Sequence, residues 1–230
     1  EYDSERMAEI LEKHNYSPVD EPNQADLIIL NTCHIREKAA EKIYSELGRL
    51  KKINLNSQRN TKVAVAGCVG QAEGQEIIKR SPIVDLVFGP LTYHQLPEML
   101  DEIETRPGQP NKKLVNIDIP EEDKFLELKG SRQNLKSISS LLSVQEGCDK
   151  FCSFCVVPYT RGVEISRPAK QILNEAQELI DIGAKEIILL GQNVNAWSQS
   201  DDKDTDMTFD QLINACLLYT SDAADETVRG

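Results

Sequence analysis

The chain of 230 residues is poor in aromatic side chains, at 5%, and holds one tryptophan and three histidines. No apolar run approaches the roughly 18 residues a membrane span needs. The run Ile187 to Leu190, between Glu186 and Gly191, suits one buried strand. The opening Glu1-Tyr2-Asp3-Ser4 is charged and polar, which excludes a secretory signal there. No membrane partner and a cytoplasmic location are therefore expected. The first residue is not Met, so the chain is expected to begin mid-protein. Positive charge is also scarce: 26 Lys and Arg stand against 38 Asp and Glu, a net charge of -12. That balance argues against non-specific nucleic-acid binding by the whole surface, while leaving room for a local basic patch. What is present, 40% hydrophobic and 28% charged residues, is ordinary globular composition and excludes a wholly disordered chain. Six cysteines without an export signal point to metal binding or catalysis rather than disulfides.

The first half alternates helical and strand periods. Met7, Ile10 and Leu11 share a helical face over 4–13, and Leu27 to Leu30 reads as a buried strand leaving through Asn31-Thr32-Cys33. Ala39, Ile43, Leu47 and Leu50 recur at helical spacing over 36–52. A strand at Val63 to Ala66 exits into Gly67-Cys68, followed by a helix near 71–80 and a strand at Ile83 to Phe88. This β-α-β-α-β order implies a parallel sheet covered by helices. Cys33 and Cys68 each fall just past a strand's carboxyl end, the edge where open α/β sheets bind ligands. Two buried thiols filling small core spaces is the competing reading. Residues 105–137, with Arg106-Pro107-Gly108-Gln109-Pro110, the acidic Glu121 to Asp123 and Lys129-Gly130-Ser131, read as a linker holding a short strand or two. A second domain opens with a strand near Ser140 to Gln145. A cysteine loop, an amphipathic helix over 168–182 and a strand at 186–190 follow, the start of a (β/α) barrel. The expected organisation is an N-terminal α/β domain over 1–104, a linker over 105–137, the first barrel units over 138–214 and a tail over 215–230.

The sharpest motif is Cys148-Asp149-Lys150-Phe151-Cys152-Ser153-Phe154-Cys155. Three thiolates spaced C-x-x-x-C-x-x-C on one loop can hold three irons of a four-iron cluster. The fourth iron then lacks a protein ligand, and an open metal position is where a substrate or cofactor binds. Phe154 could present an aromatic face to a planar ligand. A structural zinc site competes, but it usually shows paired C-x-x-C units or histidines, and the nearest histidine in sequence is His94, in the other predicted domain.

The run Gln145-Glu146-Gly147-Cys148-Asp149-Lys150-Phe151-Cys152-Ser153-Phe154-Cys155-Val156-Val157-Pro158-Tyr159-Thr160-Arg161-Gly162 resembles the radical S-adenosylmethionine methylthiotransferases. So do Glu164-Ile165-Ser166-Arg167-Pro168 and Leu190-Gly191-Gln192-Asn193-Val194-Asn195-Ala196-Trp197. Upstream, Asn31-Thr32-Cys33-His34-Ile35-Arg36-Glu37-Lys38-Ala39 and Ala66-Gly67-Cys68 resemble that family's N-terminal domain. The branch most resembled acts on N6-isopentenyladenosine in tRNA, next to the anticodon. The alternatives are branches acting on threonylcarbamoyladenosine or a ribosomal protein, or a non-catalytic zinc-binding module.

The resemblance implies S-adenosylmethionine as cofactor and two 4Fe-4S clusters. It implies a tRNA substrate and an electron donor such as flavodoxin or ferredoxin. Cys148, Cys152 and Cys155 would ligate the radical-generating cluster. Cys33 and Cys68 would be two of three ligands of a second cluster, whose third would precede Glu1, so the chain alone is expected to be inactive in methylthiolation. Phe154, Arg167, Gln192, Asn193 and Asn195 are the expected cofactor-side residues. For Arg167, and for Arg161, a surface arginine paired with an acid is the competing reading; for the three amides it is strand-end capping. Tyr159 and Trp197 are either base-stacking or plain packing residues. His34 is not expected to be a ligand, since neighbouring side chains of a strand point apart. The Lys42, Arg49, Lys51 and Lys52 cluster reads as a solvated helix face or a contact for tRNA phosphates. The tail from Cys216 onward does not resemble the family.

Overall fold

A computed structural model describes residues 1–34, 37–56, 59–104, 112–119, 138–199 and 207–225. Most of the expected linker, the acidic Glu121 to Asp123, Ile35 and Arg36, and the end of the tail lie outside them. The chain divides into two compact units: Asp3–Leu128 with Cys152–Arg161, and Lys129–Phe151 with Gly162–Gly230.

The first unit is a parallel four-stranded sheet in the order β1 (Leu27–Asn31), β2 (Lys62–Ala66), β3 (Leu86–Phe88), β4 (Leu114–Asn116). Side chains alternate across its faces, as the strand period requires. Ala64, Ala66, Leu86 and Phe88 face a core built with Met7 of α1 (Tyr2–Lys13) and with Leu96, Met99, Leu100 and Ile103 of α5 (Leu96–Ile103). Val63, Val65 and Val87 face the other core, with Ile43, Leu47 and Leu50 of α2 (Glu37–Asn56), Val69 of α3 (Gly67–Glu73) and Ile77 and Ile78 of α4 (Gln75–Arg80). Helices on both faces explain why these strands are apolar throughout rather than alternating.

Three features differ from the sequence expectation. The helix near 71–80 is two helices, because Gly74 takes φ +46 between them. The segment 112–119, expected within the linker, supplies β4 and completes the sheet. The helix α5 was not anticipated, although Leu96, Met99, Leu100 and Ile103 have helical spacing.

In the second unit β5 (Ser139–Ser143) pairs in parallel with β8 (Glu186–Leu190), and β6 (Gln145–Glu146) pairs antiparallel with β7 (Ile165–Ser166). Following the short helix α6 (Val157–Arg161) in the chain, the helix α7 (Ala169–Asp181) connects them, and its Ile172, Ala176 and Leu179 pack with Leu142, Val144, Trp197 and Leu212. Pro168 precedes this helix as its N-cap, and Gly183 follows it at φ +107. A short antiparallel pair, β9 (Ser198–Gln199) with β10 (Met207–Thr208), leads into α8 (Phe209–Asp225). Strand, loop, helix and parallel strand form the (β/α) pattern expected of this half.

Candidate functional site

Cys33 and Cys68 come to one end of the first sheet. Asn31 is in register with Ala66, so both chains leave the sheet at the same level. The Thr32 N–H then donates to the Ala66 carbonyl at 3.2 Å, and the Val69 N–H to the Thr32 carbonyl at 3.3 Å. Gly67, at φ +83, permits this approach: a Cβ there would lie 2.9 Å from the Thr32 carbonyl oxygen. Cys33 is exposed, Cys68 is 8% exposed, and both are free thiols. His34 Nδ1 is buried without a hydrogen-bond partner among the described residues.

The second set of cysteines follows β5 and β6. Gly147 turns the chain at φ +71, where a Cβ would stand 1.8 Å from the Val163 carbonyl oxygen, so only glycine fits. The Cys148 N–H donates to the Gly162 carbonyl at 3.3 Å, and the Asp149 carboxylate accepts the Glu164 N–H at 3.0 Å. Phe151 takes φ +45, a left-handed conformation uncommon for a side chain of this size. The Cys155 N–H then closes a turn onto the Cys152 carbonyl at 2.9 Å. Cys148, Cys152 and Cys155 are free thiols, half-buried, exposed and half-buried in turn. Among the described residues no three His, Cys, Asp or Glu side chains are gathered about a single metal-ion position.

The expected cofactor-side residues fall into two environments. Phe154 is 93% exposed, Gln192 and Asn195 are exposed, and Asn193 is half-buried with its amide donating to Glu164 Oε2 at 3.4 Å. Arg167 is turned inward. It is 5% exposed, and its Nη1 donates to Glu175 Oε2 at 2.5 Å and to the Ser143 carbonyl at 3.3 Å. Arg161 pairs with Asp3 at 2.7 Å. Trp197 is buried, its indole N–H donating to the Arg167 carbonyl at 2.9 Å, whereas Tyr159 is exposed. Lys42, Lys51 and Lys52 are exposed, and Arg49 is paired with Glu46. A cavity of about 660 Å³ between α1 and β1, lined among others by Leu11, Tyr16, Pro18 and Leu27, contains none of the cysteines. Burial within it pushes the Tyr16 hydroxyl pKa up, and the nearby Glu104, Asp101 and Asp26 add to the rise.

Residues 1–89 match the family described as Uncharacterized protein family UPF0004, and residues 142–212 match the Radical SAM superfamily. A tRNA-2-methylthio-N(6)-dimethylallyladenosine synthase of Ruegeria pomeroyi is 58% identical over 196 residues, covering 85% of this chain and 43% of that protein. Proteins of the same name from a Jannaschia species and from Bartonella quintana are 55% and 54% identical, covering 89% and 85% of this chain and 43% of each relative. The chain belongs to the radical S-adenosylmethionine methylthiotransferase family. It spans less than half the length of these relatives.

Membership in this radical S-adenosylmethionine family implies a 4Fe-4S cluster and S-adenosylmethionine. The donor set fits such a cluster: three free thiols on one short loop, with no disulfide consuming them. Sequence reasoning missed three residues that shape this loop. Asp149 and Glu164 join its two ends, and Gln145 lies buried beneath it. Their roles depend on contacts between segments distant in sequence, which no local pattern announces.

Proposed function

We propose that this protein acts in inserting a methylthio group at C2 of N6-isopentenyladenosine in tRNA, next to the anticodon. The observation that carries this is the Cys148, Cys152, Cys155 loop after a parallel strand, in a chain 58% identical over 196 residues to a synthase of that name. Cys148, Cys152 and Cys155 would hold a 4Fe-4S cluster to which S-adenosylmethionine would bind. Such a cluster, when bound, supplies one-electron cleavage of a sulfonium C–S bond. The remaining work is positioning and exclusion of water. Phe154 offers its exposed ring to the cofactor, and Gln192, Asn193 and Asn195 offer amides from the carboxyl end of β8, where barrel enzymes gather functional groups. Arg167 serves indirectly, by tying the backbone of Ser143 to α7 through Glu175.

Cys33 and Cys68 supply two thiolates toward a second cluster, with a third ligand from outside this chain's cysteines. The domain bounds follow the same reading: an N-terminal methylthiotransferase domain, then a radical-generating core from 138. The partners are tRNA and a flavodoxin or ferredoxin as electron donor, in the cytoplasm. Among the described residues no helix is long and apolar enough to cross a membrane.

Two measurements test this reading. The anaerobically iron-loaded, reduced chain should release 5′-deoxyadenosine from S-adenosylmethionine, and Cys152→Ala should not. Disrupting the gene should remove the methylthio group from N6-isopentenyladenosine in cellular tRNA. A chain that takes up zinc and refuses iron, or tRNA that keeps its methylthio group, overturns the proposal.

A further inference from the structure

Gln145 is 1% exposed, and every hydrogen-bonding position of its carboxamide is filled. Oε1 accepts two backbone N–H groups, from Gln192 at 2.8 Å and from Asn193 at 3.0 Å. Nε2 donates to the Gly147 carbonyl at 2.8 Å and to the Glu146 carbonyl at 3.3 Å. A primary amide has two donors and two acceptor lone pairs, so this one is fully used. Its partners belong to two separate segments: the backbone entering the cysteine loop and the turn leaving β8. Both segments are glycine where they meet it. A Cβ on Gly191 would lie 2.7 Å from Gln145 Oε1, and Gly147 has no room for a Cβ.

We infer that Gln145 is a positioning residue that fixes the 191–193 turn against the start of the cysteine loop. Because β5 and β8 are parallel neighbours, Cys148 and residues 192–195 both follow carboxyl ends of adjacent strands. The carboxamide sets the spacing between them. The iron-ligating loop and the amides that receive S-adenosylmethionine are thereby held as one frame. Two oriented backbone N–H groups and a buried amide do not re-form these bonds elsewhere, so losing the carboxamide frees the turn. This role rests on the cofactor reading above, but the clamp itself is measurable without cofactor.

Amide hydrogen exchange on the chain is the first test. The N–H groups of Gln192 and Asn193 should be protected in the wild type and exchange quickly in Gln145→Met, which keeps the side chain's length and apolar contacts. Free exchange of both amides in the wild type overturns the inference, whatever the variants do. In the second test, Gln145→Met and Gly191→Ala are loaded with iron and titrated with S-adenosylmethionine. Both should keep the wild-type iron content, since all three cysteines remain. Both should bind the cofactor about tenfold more weakly, because a site loosened by about 1 Å loses affinity on this scale. Binding within about twofold of wild type in either loaded variant overturns the positioning role. A wild-type chain that holds iron, protects both amides and yet ignores S-adenosylmethionine refutes the cofactor reading and removes the role with it.

Discussion

Replacing Arg167 separates two accounts of that residue. The guanidinium and Glu175 are both buried, with side-chain exposures of 6% and 9%, and lie 2.5 Å apart. Arg167→Met removes the cation that faces the Glu175 carboxylate of α7 and the donor to the Ser143 carbonyl. Breaking a buried pair from one side costs about 3–5 kcal/mol, because the remaining charge is still desolvated. At a urea slope of about 2 kcal/mol/M, the midpoint should fall by about 1.5–2.5 M. The double variant Arg167→Met, Glu175→Leu removes both charges and should recover to within about 1.5 kcal/mol of wild type. The assay is built into the molecule. Trp197 is the only tryptophan, is buried in the same core, and donates to the Arg167 carbonyl, so its fluorescence reports the unfolding of this unit alone. A single variant with an unchanged midpoint and weakened cofactor binding would refute the structural role and make Arg167 a direct contact.

Three further outcomes follow from the geometry. Burial first, and then the hydrogen bond and charge of Glu73, push the Tyr44 hydroxyl pKa up to about 12, against the opposing pull of Arg80, 3.7 Å over the ring. A raised folded pKa means that stability from Tyr44 is full below pH 10 and falls as pH rises toward 12; phenolate absorbance should include a group titrating near 12 that is lost in Tyr44→Phe. Gly147→Ala should abolish iron loading, since its Cβ collides with the Val163 carbonyl, whereas Gly183→Ala, at φ +107 with open space around it, should cost only about 1–2 kcal/mol and load normally. The loaded chain should retain about four irons, with Cys33→Ala and Cys68→Ala leaving that number unchanged; about eight irons would contradict the need for a third ligand beyond Cys33 and Cys68.

The parallel α/β sheet and the barrel-like second half were legible because apolar runs and helical periods there are strong and local. The helix near 71–80 was misread because Gly74 acts through its φ rather than through polarity. A short strand within 105–137 is legible, but its place in the first sheet is not, because the Pro, Gly and acidic composition around it reads as a linker and only pairing with β3 assigns it. The cysteine motifs announce themselves by spacing. Arg167 does not reveal its partner, because Glu175 lies across Pro168 on the following helix and only folding buries the two together. Gln145 is still less visible: its acceptor role joins it to residues 47 and 48 positions away.

The most direct measurement is electron paramagnetic resonance with nuclear hyperfine detection on the reduced, iron-loaded chain before and after adding S-adenosylmethionine labelled with ¹⁵N at its amino group. The account predicts that the cluster signal shifts and that the label's nitrogen couples to one iron. A spectrum unaltered by the cofactor, with no nitrogen coupling, would contradict it.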